Sequence, residues 1–273
     1  AASGTESAQR ALLALLADRE EKSQYQRHIT LNTLGFTKYG SHSDVIDALE
    51  DMVFHQFGNQ TAQNASLTDP VVAFAPLVLG TVVHFRHHTG HVNANERDRT
   101  AALQNELERR AQVALDDDHA KQHKIVWINT LGNTGRQSSL HILAQYLDEH
   151  RAEREHEREH DDMIRAAAVM ALRQVPGNHS EDLINTYLSD PAPKVREAAA
   201  NVYANHRQAG EGSAELIHKA WLKEQNSNVL SLLEKAKIKV GHTLGLVKPK
   251  NGWDEVAMPY TKGTEQKFGS EPN

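Results

Sequence analysis

The chain has no cysteine. That absence removes disulfides, thiolate metal sites and cysteine nucleophiles together, and leaves the redox compartment open. Aromatic residues are scarce too, at 5% beside a hydrophobic fraction of 39%. Strands draw on aromatic and β-branched side chains, so an apolar complement led by Ala and Leu favours helix packed on helix. No apolar run reaches the roughly 18–20 residues that span a bilayer; the longest, residues 71–85, ends in histidines. Basic charge is not in excess either. A net charge of −6 and a pI near 6.3 argue against a nucleic-acid partner bound through broad basic patches. The chain opens without an initiator Met, and Leu12 to Leu16 are too few and too closely flanked by charge for a signal peptide. The start reads as the inside of a helical array belonging to a longer protein.

What is present is a repeated script between residues 123 and 206. KIVWINTLGNTG (124–135) leads to SSLHILAQYL (138–147), and RAAAVMALRQVPGN (165–178) leads to SEDLINTYL (180–188). Each time an apolar helix ends near a Gly, a short turn follows, and Ser opens an amphipathic helix finishing on Tyr-Leu. Leu131 to Tyr146 and Leu172 to Tyr187 share one spacing of 15 residues, and Leu34 to Leu49 repeats it in a third copy. A fixed internal spacing of helix pairs predicts an α-solenoid, because one hairpin cannot bury its apolar stripe alone and neighbours must cover it.

Along the chain, residues 5–24 read as one helix with a stripe of Ala8, Leu12, Leu15 and Leu16. Residues 58–69 form a polar, turn-rich loop, and Pro70 opens an apolar helix that contains Pro76. Residues 94–115 are its amphipathic partner, carrying Leu103, Leu107 and Val113. Residues 190–206, 213–224 and 228–240 complete the array with Leu216, Trp221, Leu222, Leu230 and Leu233. Trp127, Trp221, Tyr146 and Tyr187 sit at helical spacing and are expected in the core. After residue 240 the composition turns to Gly, Pro and Lys. The expected organisation is therefore a solenoid over 1–240 and an irregular tail or linker over 241–273, leading toward a region of another kind. The expected fold class is all-α, a right-handed superhelix of antiparallel pairs.

The candidate sites divide into decoys and open questions. His156-Glu157-Arg158-Glu159-His160 fits H-E-x-x-H, which in zinc proteases places two imidazoles and a general base on one helical face. That chemistry needs a half-buried helix in a dry cleft. Here the flanks, residues 149–162, are charged throughout with Ala152 the lone apolar residue, so the stretch reads as a solvated segment. His84, His87, His88 and His91 form a second cluster at i, i+3, i+4 and i+7, a spacing able to hold Zn²⁺ or Cu²⁺ if the helix continues. Thr89-Gly90 favours ending it, and imidazoles at a helix C-terminus suit the dipole with no metal. Asn59, Asn64 and Asn178 open N-x-Ser/Thr sequons, two of them in the polar loop. LGNTGR (131–136) lacks the second Gly-Lys-Ser/Thr of a phosphate loop and reads as a helix end with Gly at the cap. No catalytic constellation and no cofactor fingerprint emerges.

Two resemblances rest on these residues. Asp190-Pro191-Ala192-Pro193-Lys194-Val195-Arg196 with the alanines that follow resembles the turn and first helix of a HEAT repeat. The stretch 124–207, with its LGNTG turn, its helices ending on Tyr-Leu and its AVMALR helix (168–173), resembles the helical domain of vitellogenin-type large lipid transfer proteins. KFGS (267–270) looks like the point where that family leaves its helices for lipid-sheltering sheets. The resemblance implies a non-enzymatic scaffold domain of a larger secreted lipid-transport or yolk-type protein, with lipid held by other parts of the parent and protein partners on the helical surface. A generic HEAT-type scaffold in the cytoplasm is the alternative. The family's helical domain often carries disulfides, which this chain cannot form.

Overall fold

A computed structural model describes residues 5–17, 24–35, 43–57, 70–88, 93–116, 121–149 and 158–243. These residues are helical throughout, joined by short turns, and no strand occurs among them. The all-α class is as expected. The chain divides into two units: Ala1–His150 with Gln174–Pro176, and Arg151–Arg173 with Gly177–Asn273.

The first unit contains α1 (Glu6–Ala17), α2 (Gln24–Gly35), α3 (Ser43–Glu50), α4 (Pro70–His88), α5 (Ala94–Asp116), α6 (Lys121–Thr134) and α7 (Leu140–Glu149). The expected helix over residues 5–24 is thus two, since α1 ends at Ala17 and Gln24 opens α2. Thr5 accepts the Ala8 N–H on its hydroxyl and caps α1. Leu16 is buried, but Leu15 is 42% exposed; a stripe about two residues wide suffices for a peripheral helix. α3 widens into a π-helical turn over Asp51–Phe57 that buries Val53 and Phe57. The central elements are α4 and α6. α4 carries Val71, Ala75, Val78, Leu79, Val82 and Val83 into the core, and α6 answers with Trp127, Ile128 and Leu131. On α5, Leu103, Leu107, Ala111 and Ala114 face inward, whereas Val113 is exposed, contrary to its expected place on the stripe. Tyr146 on α7 is fully buried and donates its hydroxyl to the Ala111 carbonyl at 2.8 Å.

The second unit contains α8 (Arg158–Ala171), α9 (Asn178–Tyr187), α10 (Pro193–Asn201), α11 (Glu211–Lys223) and α12 (Ser227–Thr243). α10 continues as a π-helical turn over Val202–His206. Its small residues let helices approach closely: Ala198, Ala199 and Ala200 are all buried, with Ala168 and Ala171 on α8. The HEAT-like turn has a physical role here. Asp190, buried, accepts Arg165 Nη2–H at 2.6 Å and the Ala192 N–H at 2.8 Å. Arg196 donates to the Asp190 and Pro191 carbonyls and, through Nε and Nη2, to both oxygens of Glu224 at 2.7 and 2.9 Å. A bidentate pair of this kind fixes orientation as well as charge. Glu224 also accepts the Gln225 and Asn226 N–H groups, and Asn226 then caps α12. Several residues expected to pack in this unit fall elsewhere: Leu216 and Leu222 are exposed, and Trp221, Tyr187 and Leu230 are half-buried. On α11 the buried apolar residues are instead Ala214, Ile217 and Ala220.

Candidate functional site

The site is built on the seam between α4 and α6. Gly80 lets the helices meet closely, since a Cβ there would stand 2.6 Å from the Thr130 carbonyl oxygen. Asn133 on α6 donates its side-chain amide to the Leu77 carbonyl at 3.1 Å. His84 Nδ1 lies 3.1 Å from the Thr134 carbonyl, which can only accept, so this nitrogen carries the proton. Gly135 follows in the left-handed region with φ 61°, capping α6 as its sequence position predicts.

α4 ends at His88, as Thr89-Gly90 suggested, and His91 lies outside the described residues. The His84 and His88 rings are 4.5 Å apart and those of His87 and His88 5.8 Å. His84 clamps the C-terminus of α6 with one nitrogen, and burial holds its pKa below the ordinary imidazole value; the Thr134 bond opposes this, and His88 and His87 add to it. Among the described residues, no group of three His, Asp or Glu side chains is arranged to hold a metal ion.

Beside the seam, α4, α5 and the turn between α6 and α7 enclose a pocket of about 440 Å³. Val83, Arg86 and His87 reach it from α4. Arg97, Thr100, Ala101, Gln104 and Asn105 reach it from α5, and Arg136 and Ser138 from the turn. Guanidiniums therefore line it from three elements, and no carboxylate is among its described lining residues. Arg86 is the most deeply placed, 3% exposed, with its Nη2 at 3.4 Å from Glu96 Oε1. Glu96 is otherwise engaged in a capping box at the start of α5: its N–H donates to Asn93 Oδ1, and its Oε2 accepts the Asn93 N–H, both at 3.0 Å. Further along α5, buried Gln104 donates to Glu108 and to Ser139, while its Oε1 has no partner. Ser138 and Ser139 donate to the same Glu108 oxygen.

Like charge is concentrated at this place. Burial lowers the Arg86 pKa from its ordinary value, Glu96 opposing and Arg99 adding to the effect. Burial also lowers His87, and the Arg136 charge pushes it further in the same direction. Sequence reading singled out His87 and missed its neighbours. A signal was there: Arg97, Thr100 and Gln104 recur at i, i+3 and i+7, a polar stripe on one face of α5 that an isolated surface helix does not need.

The remaining expected sites are placed as follows. His156 and Glu157 lie outside the described residues, and so do Asn59 and Asn64; His160 belongs to the first turn of α8. Of residues 149–162, Glu149 is the last described residue of α7 and Arg158 the first of α8; those between lie outside the described residues. Asn178 is exposed as the first residue of α9, directly after Gly177 at φ 103°. Buried Ser180, the third sequon residue, donates to the Gly177 carbonyl and accepts from Arg207, both at 2.8 Å.

The family model of the vitellogenin TPR domain matches residues 1–233. The chain belongs to the vitellogenin TPR domain family. Its packed helix pairs, its lack of strands among the described residues and its solenoid-like organisation accord with a helical repeat domain of that kind. Among curated proteins none matches the chain significantly. Among solved structures it is similar to an engineered protein known from its crystal structure, at 12% identity over 86% of this chain and 97% of that one, with a TM-score of 0.36. No helix among the described residues is long and apolar enough to cross a membrane.

Proposed function

We propose that this vitellogenin TPR domain is the non-enzymatic helical scaffold of a larger secreted lipid-transport protein of yolk type. The family match over residues 1–233 carries the reading. The physics of stacked helix pairs supports it: such arrays expose long surfaces to partners and gather no catalytic groups by themselves. In this reading lipid lies against other parts of the parent protein, and residues 241–273 lead toward them. The helical surface takes protein partners. Glycans on Asn59, Asn64 or Asn178 accompany passage through the secretory pathway.

The HEAT-like Asp190–Arg196 turn favours a second reading, a protein-interaction scaffold in the cytoplasm with no lipid role. Native mass spectrometry with lipid extraction, on the natural parent protein purified from its source, separates the two. Many copies of phospholipid or acylglycerol, with glycan mass on this domain, are the expected result. A lipid-free, unglycosylated species in stoichiometric complex with other proteins overturns the lipid-transport reading in favour of the scaffold.

A further inference from the structure

α4 packs against α2 and against α6, so these three helices form one row in the first unit. Within it α2 and α6 are counterparts. ITLNTLGF (29–36) aligns on VWINTLGN (126–133), which sets Gln26, Thr30 and Thr33 against His123, Trp127 and Thr130. In α6 those three positions are buried, and elements that precede α6 in the chain cover them. The Phe57 ring, from the π-helical turn after α3, stacks on His123 at 4.5 Å and lies 5.5 Å from Trp127. Gly80 on α4 brings its backbone against the Thr130 carbonyl. The same face of α2 is open: Gln26 is exposed, Thr30 and Thr33 are half-buried, and Ile29 beside them is 48% exposed. α4 meets α2 elsewhere, through Phe74 edge-on to His28 and Val78 against Gly35. Exposed Leu15 of α1 closes a groove of about 260 Å³ with Gln26, Ile29 and Thr30. Tyr25, 73% exposed, lies one turn before Ile29. No charged side chain is among the described lining residues, and Thr30 and Thr33 donate their hydroxyls to the Gln26 and Ile29 carbonyls. An uncharged patch that holds Tyr, Ile and Leu has the composition of an interface core. A helix that closes a repeat array carries a polar outer face instead; α12 does so, turning Ser227, Asn228, Ser231, Glu234 and Lys235 to solvent.

We infer that the α1–α2 groove is a docking site for one helix of a partner chain with the chemistry of α4. That helix is apolar and uncharged along its contacting side and carries Gly or Ala where it crosses α2 near Thr33. It continues the α2–α4–α6 row, covering Gln26, Ile29 and Thr30 as preceding elements cover their counterparts on α6, and it packs on Leu15 from α1. α2 has 12 residues, about 18 Å of helix, so roughly three turns of the partner fill the face. The inference rests on the proposed scaffold role, which it makes specific by face and by partner. Helix docking and lipid carriage are read by separate measurements, so either can fail alone.

The test uses the 273-residue chain and a fluorescein-labelled peptide of residues 70–88, the α4 sequence itself, made soluble by a lysine tail. Fluorescence anisotropy should show saturable binding at one site. Tyr25→Lys/Ile29→Lys should weaken it about tenfold or more, with thermal melting unchanged because both side chains are exposed. Leu216→Lys/Leu222→Lys on α11, exposed positions with the same change in charge, should bind as the unaltered chain does. A peptide carrying Gly80→Phe cannot approach a helix backbone as Gly80 approaches Thr130, and should lose binding to the unaltered chain, a readout free of any variant's folding. The natural parent protein should bind the α4 peptide as the chain does. The inference fails if the peptide does not bind saturably, if the α2 variant binds as the unaltered chain does, or if the α11 variant or the Gly80→Phe peptide gives the opposite result. It fails equally if the parent protein does not bind, since the groove is then filled from within the same polypeptide. Sedimentation showing a dimer of the chain that Ile29→Lys dissociates would also overturn it, with a second copy as the occupant.

Discussion

The α6–α7 pair and the α8–α9 pair are written in nearly the same letters and are held in place by different means. In the first, the preceding helix α5 does the holding: Gln104 and Glu108 engage Ser139, and the Ala111 carbonyl accepts the Tyr146 hydroxyl. In the second, elements that follow in the chain take over. Arg207 reaches Ser180 and the Gly177 carbonyl, Glu181 accepts from the Gly210 N–H and from Ser213, and Tyr203 bonds Asn185. The counterpart of Tyr146, Tyr187, is only half-buried. A repeated sequence thus specifies the hairpin, while its anchors lie outside the repeat and can be on either side.

Breaking the most concentrated anchor should have the largest effect. Asp190→Ala removes the buried carboxylate from Arg165, leaving it the longer pair with the partly exposed Asp162, and is expected to destabilise the second unit by about 3 kcal/mol. Urea unfolding with hydrogen exchange would show the loss over α8–α10, with α4–α6 protection retained. A uniform loss across both units would mean that the pairs are not independently anchored.

The two turns sharpen the comparison next. Gly177, at φ 103° and ψ 162°, occupies a region open essentially to glycine, and Gly177→Ala should cost about 1–3 kcal/mol. Gly135 lies in the left-handed region, which any residue can enter at about 1–2 kcal/mol, but a Cβ there would stand 2.9 Å from His84 Nδ1. Removing that ring with His84→Ala should therefore make Gly135→Ala less costly, a coupling seen in a double-mutant cycle of thermal unfolding. No comparable partner should rescue Gly177→Ala.

Hydroxyl deletion is a gentler probe. Tyr146→Phe loses a buried hydrogen bond and should cost roughly 0.5–1.5 kcal/mol, whereas Tyr187→Phe, at a half-buried position, should cost less. Equal losses in chemical denaturation would erase the contrast between the pairs.

The smallest effect is shared by both units. Burial first, then neighbouring positive charge, lowers the pKa of His84 in the first unit and of His206 in the second, the latter beside Arg173 and Lys239. For a lowered imidazole the unfolded chain takes up its proton first as pH falls. Stability is complete above the ordinary value of 6.5 and declines as pH drops from about 7 toward 5. Melting curves across that range should show a modest fall, reduced in His84→Gln for the first unit only. A rise on acidification would contradict it.

The helices themselves were largely legible in the sequence. Pro70, the Gly135 cap and the end of α4 near Thr89-Gly90 are local signals, and local signals suffice where backbone chemistry decides. The errors have a common physical origin. Hydrophobicity alone points Leu15, Val113, Leu216 and Leu222 inward, yet each is exposed, since a helix buries one stripe and apolar residues off that stripe stay in solvent. The pocket escaped notice because its lining comes from α4, α5 and the α6–α7 turn, which no local window of sequence brings together. The histidines drew attention through their spacing, yet His84 is occupied by a backbone carbonyl 50 residues away.

The widened turn at the end of α10 has a consequence for how the chain tolerates change in length. Val202, Tyr203 and Ala204 are buried in succession. The segment acts as a junction. Tyr203 turns its hydroxyl to Asn185 on α9 and Ser213 on α11, and Lys239 on α12 donates to the carbonyls of Tyr203 and Arg207. Deleting a single residue here would rotate everything beyond it more than it would shorten the chain. Three neighbours would lose their common partner in one step.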